Sequence, residues 1–145
     1  MKTQFQRWQV QAIPYAQSSA EKLTTKDFFN QPQVASWSSA DIATRFNTLS
    51  WDVNEYIKAK GEYKVVMLHL KGINALEIQS LALFENGKRV AKDQHYGLSG
   101  ESLSGVVYQL TLTEYDVSAN YQLKALVKGS LGTDSAGEVK MWRAN

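Results

Sequence analysis

The 145-residue sequence contains no cysteine, only two histidines and two prolines, and a formal net charge of only +2. Without cysteine the chain has no disulfide, thiolate metal site or cysteine nucleophile, which fits a reducing compartment or an exported bacterial protein without bridges. The two histidines lack His-x-x-x-His spacing, so an imidazole metal centre is not expected. Lysine and arginine never form a run of three, so no nucleic-acid partner is expected.

Long apolar runs are also missing from the sequence. The longest, Val65 to Leu70, is interrupted by His69 and is too short to span a bilayer, so no membrane insertion is expected. The N-terminal residues MKTQFQRWQV lack the apolar region of a secretory signal, so either the protein is cytoplasmic or a leader precedes this sequence. A hydrophobic content of 43% is sufficient for the core of one domain.

The most informative stretch is Leu76 to Gly97, LEIQSLALFENGKRVAKDQHYG, which predicts a β-hairpin. Its centre, Asn86-Gly87, suits a type I′ turn, because both residues tolerate a positive φ. Along the first arm the apolar residues change from one face to the other near Ser80. This change predicts a β-bulge or a switch of the buried face at that residue.

Strand patterns continue on both sides of the hairpin. The segment 62–70 is apolar on both faces, as a central strand would be, whereas segments 108–112 and 121–127 alternate between apolar and polar residues. Further strands are predicted over 51–57 and 138–142. Short strands separated by turn signals predict an all-β fold, an antiparallel β-sandwich or jelly roll.

The N-terminal region has a different composition. Residues 1–36 are rich in glutamine, serine and threonine and are predicted to form an arm or linker, either a short helix or an irregular segment. The sandwich domain is predicted to span residues 37–145. At its start, Ser38 or Ser39 is predicted to cap a short helix. The apolar face of that helix would hold Ile42, Ala43 and Phe46.

The sequence offers one segment that resembles a catalytic motif, but its residue spacing is wrong. The segment GLSGESLSG at 97–105 resembles Gly-x-Ser-x-Gly, but Glu101 stands where a glycine should follow Ser99. A flexible loop is therefore predicted there. The scattered acidic residues cannot be paired from sequence. His69 is predicted to be a core or sheet-face histidine whose ring nitrogens are satisfied.

No cofactor is predicted, although oxygen ligands for calcium need no local motif. Asp93, Glu101 and Asp134 lie in predicted loops and could supply such oxygens, but no EF-hand spacing is present.

Sugar recognition requires an exposed aromatic ring together with a few planar polar groups. Tyr96 and Trp142 are candidate ring platforms because each lies at a strand end beside polar residues. Asp93, His95, Tyr96 and Asp134 are predicted to converge at one end of the sandwich, where sandwiches place their sites. Such a cluster could bind a sugar, or it could be a hydrogen-bond network that holds two loops together.

Several short motifs also occur in an order that resembles a known family. They are Trp51-Asp52-Val53, Lys71-Gly72, Asn86-Gly87, Asp93 with His95 and Gly97, and Gly132-Thr133-Asp134-Ser135-x-Gly137. Over residues 37–142 the chain resembles the galactose-binding-like β-sandwich domain found at the C-terminus of many bacterial glycoside hydrolases. The most similar group is the β-N-acetylhexosaminidase type.

The resemblance implies a non-catalytic accessory domain of a secreted bacterial glycoside hydrolase. In that family the catalytic carboxylates belong to a separate barrel domain, and the accessory domain binds carbohydrate or packs against the barrel. The implied location is extracytoplasmic, with a leader lost ahead of Met1. Two alternatives stay open: a purely structural or adhesion sandwich, and a small glycan-active hydrolase or lyase that uses Asp93 and His95 as an acid/base pair.

Overall fold

A computed structural model describes residues 30–38, 40, 42–99, 107–129 and 135–144. Within these residues the chain forms two antiparallel β-sheets whose apolar faces enclose a core. This confirms the predicted all-β antiparallel sandwich. Most of segment 1–36, for which an arm or short helix was predicted, lies outside the described residues.

The strands in chain order are β1 Gln33–Ser38, β2 Asn47–Asp52, β3 Gly61–Lys71, β4 Glu77–Glu85, β5 Lys88–Asp93, β6 Gly97–Leu98, β7 Val107–Leu112, β8 Tyr121–Lys128 and β9 Ala136–Arg143. The first sheet has the order β1-β9-β3-β7, and the second has the order β2-β8-β4-β5. The short β6 pairs with the same edge of β4 as β5 does, because β8 occupies the other edge along its length.

The apolar patterns decide which faces are buried. In β3 the consecutive residues Val65, Val66 and Met67 are all buried, and this strand lies between β9 and β7, as predicted for a central strand. Strands β7 and β8 alternate between buried and more exposed residues, as their sequence predicts. Burial of each large aliphatic side chain stabilises the fold by about 1.5–3 kcal/mol.

The central hairpin is formed by β4 and β5. Asn86 has a φ of 51° and Gly87 a φ of 84°, which confirms the predicted turn with two positive φ angles. The register between β4 and β8 shifts between Ile78 and Ser80, so Gln79 is bulged. Ile78 is buried before this bulge and Leu83 after it, which confirms the predicted switch of the buried face near Ser80.

Two local predictions near the start of the sandwich are wrong. Residues 42–46 form bends and an irregular segment, not a helix, because the Ala43 carbonyl accepts the N–H of Gly129 after β8 instead of bonding within a helical turn. Ile42 is buried beside Gly129. The strand predicted over 51–57 lies earlier, at Asn47–Asp52, and a 3₁₀ turn at Asn54–Tyr56 follows it. The capping part of the prediction holds for Ser38, whose hydroxyl accepts the N–H of Ala40 in a 3₁₀ turn at 3.3 Å. Ser39 lies outside the described residues.

The start of the sandwich also precedes the boundary predicted after residue 36. The compact unit that contains the strands begins at Gln31. Strand β1 pairs with β9 from Gln33 to Ser38, so the predicted boundary falls inside this strand.

A close approach between strands requires a glycine at position 137 of β9. The indole of Trp37 is buried and donates from Nε1 to the Leu68 carbonyl of β3 at 3.1 Å. Gly137 lies under that ring. A Cβ at Gly137 would overlap the Leu68 oxygen and would lie 2.7 Å from two carbons of the indole. Only glycine fits there without moving the backbone.

We expect Gly137→Ala to lower the free energy of unfolding by at least about 3 kcal/mol, because the added methyl group meets backbone and a packed ring. The matched variant Gly87→Ala has no atom within 4 Å of its new Cβ and suffers only from its positive φ. Its expected loss is about 1–2 kcal/mol. Urea unfolding of both variants measures the difference, and equal losses would contradict the steric argument.

Candidate functional site

The polar segment after β5 forms a bulge at the edge of the second sheet. Asp93 pairs with Leu81, and Gly97 pairs with Ile78. The returning chain therefore advances four residues, from Asp93 to Gly97, while β4 advances three, from Ile78 to Leu81. Residues 94–96 leave the sheet before β6 rejoins it. Asp93 at the end of β5 and His95 within the bulge both contact β7 of the other sheet.

The Asp93 carboxylate connects the two sheets. Its Oδ1 accepts a hydrogen bond from Nδ1 of His95 at 2.9 Å. Its Oδ2 accepts the backbone N–H of Gln109 in β7 at 2.8 Å. Because β7 is the last strand of its sheet, this N–H would otherwise face outward from an open edge. Both carboxylate oxygens of Asp93 are thus occupied by structural hydrogen bonds.

The His95 ring packs against a buried tyrosine. It stacks on Tyr108 with ring centroids 3.9 Å apart and an interplanar angle of 14°. The Tyr108 hydroxyl donates to the His95 carbonyl at 3.1 Å. Burial raises the pKa of Tyr108, and the negative charge of Asp93 raises this pKa further. Within the described residues, Nε2 of His95 is buried and has no hydrogen-bond partner.

Tyr96 faces away from this cluster and borders a shallow cleft. Its ring is 58% exposed, and its hydroxyl donates to Oε1 of Glu77 at 2.9 Å. The other Glu77 oxygen lies 3.7 Å from Nζ of Lys128, which in turn lies 5.5 Å from the ring centroid of Phe46. The cleft has a volume of about 470 Å³. We call it the Tyr96 cleft; it is lined by Phe46, Glu77, Gln79, Gln94, His95 and Tyr96.

The other predicted site residues lie elsewhere or outside the described residues. Trp142 belongs to β9 of the first sheet, where Val139 and Met141 point into the core and Trp142 takes the opposite face. Asp134 lies outside the described residues. The predicted convergence of Asp93, His95, Tyr96 and Asp134 therefore stays a prediction.

A second polar network holds the end of the sandwich where β3 meets β4. Nε2 of His69 donates to the Gly72 carbonyl at 2.6 Å, which leaves Nδ1 to accept from the Ser99 hydroxyl at 2.9 Å. Oγ of Ser99 accepts the N–H of Leu76 at 2.8 Å. This confirms that both ring nitrogens of His69 are satisfied. Ser99, read from sequence as part of a flexible loop, is buried and joins two segments.

The residue that follows Asp134 belongs to the same end of the sandwich. Ser135 is buried, and its hydroxyl donates to the Asn74 carbonyl at 2.5 Å. Gly72, with a φ of 88°, lies directly beside Ser135. Sequence reasoning selected Asp134 in this segment and missed Ser135. No local pattern could have found it, because its partner lies 61 residues away.

Three asparagines connect the loops at the opposite end. Asn86 of the hairpin turn accepts the N–H of Asn120 on its side-chain oxygen at 2.9 Å, and its own N–H donates to the Asn120 carbonyl at 2.8 Å. Asn54 donates to the side-chain oxygen of Asn120 at 3.0 Å and accepts the N–H of Tyr121 at 2.6 Å. The polar side chains here fasten loops together.

No group of three or more histidine, aspartate or glutamate side chains in the described part of the chain could hold a metal ion. No helix in that part is long and apolar enough to cross a membrane. Glu101 and Asp134, considered above as calcium ligands, lie outside it.

Comparison of the chain with protein-family models and with curated proteins finds no match. The resemblance to the galactose-binding-like domain therefore stays a hypothesis that rests on the motifs themselves.

We expect Asp93→Ala to lower the free energy of unfolding by about 2 kcal/mol, because it removes the charge-assisted hydrogen bond to Gln109 of the other sheet and a second one to the neighbouring His95. Asp52→Ala is the matched control. Its carboxylate also accepts a backbone N–H, but from Asn54, only two residues away in the same segment. The expected loss there is below about 1 kcal/mol. Urea unfolding measures both values, and equal losses would refute the bridging role of Asp93.

Because Tyr108 is buried, we expect the free energy of unfolding to depend on pH in alkaline solution. In the unfolded chain this phenol ionises near its ordinary pKa of 10.0, whereas the buried phenol keeps its proton at higher pH. Above about pH 10 the unfolded state thus binds fewer protons, and the free energy of unfolding should fall as pH rises. Tyr108→Phe should reduce this fall. Burial also raises the pKa of Tyr121, so part of the dependence should remain. An unchanged slope in Tyr108→Phe would contradict this assignment.

Proposed function

We propose that this chain is a non-catalytic accessory domain that binds carbohydrate and belongs to a larger, extracytoplasmic bacterial glycoside hydrolase. The observation that supports this most directly is the Tyr96 cleft. It combines an exposed aromatic ring with several planar polar groups on a rigid sheet edge.

The chemistry of the cleft suits a sugar ring. The Tyr96 face offers an apolar surface for the C–H face of a pyranose, and the amides of Gln79 and Gln94 can bond its hydroxyls. The bond from Tyr96 to Glu77 holds the phenol in place before a ligand arrives. Such preorganisation lowers the entropy cost of binding.

The same geometry argues against an acid/base pair of Asp93 and His95. A general base needs an oxygen or nitrogen that can reach a substrate proton. Both Asp93 oxygens hold structural hydrogen bonds, Nδ1 of His95 holds one of them, and Nε2 of His95 is buried where a substrate does not reach it. Ser99, the serine nearest to a hydrolase motif, is buried and bonded to His69. These observations favour binding over catalysis.

The number of strands in each sheet supports the predicted jelly-roll fold. If β5 and β6 are counted as one interrupted strand, the described residues contain eight strands in two four-stranded sheets. Two sheets of four strands are typical of the jelly roll and its relatives.

Docking against a catalytic domain is a second candidate role, and one surface favours it. Leu70 and Ile73, at and after the end of β3, are 59% and 97% exposed. Neighbouring exposed apolar side chains are typical of interaction surfaces. A domain can dock through this loop and still bind sugar at the Tyr96 cleft, because the two features involve different residues.

A glycan array followed by calorimetry tests the carbohydrate proposal. Tyr96→Ala removes the ring and should weaken binding of the selected glycan by about tenfold or more, equivalent to about 1.4 kcal/mol. Tyr96→Phe is the matched control. It keeps the ring and removes the hydroxyl that bonds to Glu77, so its affinity should stay within about threefold. An array without any bound glycan, or equal affinity in Tyr96→Ala, would contradict the proposal and leave docking as the better account.

A further inference from the structure

The outer face of the second sheet carries a basic groove, separate from the Tyr96 cleft. It has a volume of about 390 Å³. The residues that matter for its chemistry are Ser80, Ala82, Phe84, Arg89, Lys92 and Lys124. We call it the basic groove.

The strand register explains why a groove forms there. Ala82 of β4 pairs with Lys92 of β5 on one side and with Lys124 of β8 on the other. A small side chain thus lies between two long ones in the same row. In the next row outward on β4, Phe84 pairs with Arg89. Ser80 and Ala82 form the floor, and the cations and the phenyl ring form the walls.

The charges in the groove are all of one sign. Three cations line it and no acidic residue does. Within the described residues, Arg89 and Lys92 take part in no salt bridge, and Nζ of Lys124 lies 4.7 Å from the ring centroid of Phe84. Like charges that line one groove repel each other, and an anionic ligand would relieve that repulsion. The chain as a whole has a net charge of only +2, so this concentration is local.

The combination of cations with an aromatic ring narrows the class of ligand. Phe84, over whose ring the Lys124 ammonium lies, gives the groove an apolar wall against which the C–H surface of a pyranose can pack, and Ser80 contributes to the floor. The planar guanidinium of Arg89 can hold a carboxylate through two parallel hydrogen bonds, which an ammonium group cannot do. The volume lies near the lower end of the range for small-ligand sites, about 300–1,000 Å³.

We infer that the basic groove binds a saccharide that carries carboxylate groups, such as a uronic-acid oligosaccharide. The inference rests on the proposed carbohydrate-binding function, but it uses a different face and different residues from the Tyr96 cleft. A nucleic acid fits less well, because nucleic-acid sites follow an extended basic stripe. The three cations here cluster around one aromatic ring.

Calorimetry with an oligogalacturonate, and with a neutral galacto-oligosaccharide of the same length, tests this inference. Lys92→Gln and Lys124→Gln should each weaken oligogalacturonate binding by about fivefold or more. Arg89→Lys should also weaken it although the charge is kept, because the bidentate contact is lost. Lys58→Gln removes one charge outside the groove and serves as the matched control, with affinity unchanged. Raising the salt concentration should weaken binding, since exposed charges are screened.

The remaining results of these titrations separate the groove assignment from the Tyr96 cleft. No binding of oligogalacturonate, equal binding of the neutral oligosaccharide, or unchanged affinity in the groove variants would overturn the inference. Binding of dextran sulfate in preference to oligogalacturonate would overturn the carboxylate assignment. If the neutral sugar binds and Tyr96→Ala abolishes it while oligogalacturonate fails, the proposed function stands and the groove assignment falls. If only oligogalacturonate binds and only groove variants weaken it, the Tyr96 cleft falls instead.

Discussion

The hydrogen bond from the Gln109 amide to the Asp93 carboxylate is the contact on which the arrangement of this side of the sandwich depends. It joins the last strand of one sheet to the edge strand of the other, where no backbone ladder can connect them. Asp93, the last residue of β5, supplies this carboxylate directly before the chain bulges out of the sheet. The His95 ring then covers Tyr108, and Tyr96 is turned outward beside Glu77. Asp93 and His95, which looked most like an active site, therefore hold the fold together, and Tyr96 beside them is largely exposed.

In the rest of the described molecule, too, some polar side chains stabilise the fold while other side chains stay exposed on the strands. Polar side chains at the two ends of the sandwich bond to backbone groups of neighbouring loops, as Ser99 and Asn86 do. The buried ones, such as Ser99, are needed for the structure, because a buried donor or acceptor left without its partner costs about 1–3 kcal/mol. The chemistry available for recognition lies on the sheet faces and edges, where rings and charges stand out from rigid strands. Rigid presentation of this kind suits binding.

Local patterns in the sequence predicted what depends on neighbours along the chain. The Asn86-Gly87 turn, the alternation in β7 and β8, and the bulge near Ser80 were all predicted correctly, because each follows from side-chain period or backbone φ. The helix predicted near Ile42 failed because Ala43 bonds to Gly129, which is distant in sequence.

For the candidate sites, too, the sequence reveals contacts between neighbours along the chain but not contacts between distant strands. Asp93 and His95 were selected as chemically able neighbours, and their mutual contact is real, but the partner that defines their role is on another strand. Three strands contribute the cations and the ring of the basic groove, so no local run of charges reveals it. Hydrogen–deuterium exchange at the Gln109 amide tests the central claim most directly. The account predicts that this edge amide exchanges slowly in the native protein and becomes fast in Asp93→Ala. Fast exchange in the native protein, at the rate of an unbonded exposed amide, would contradict it.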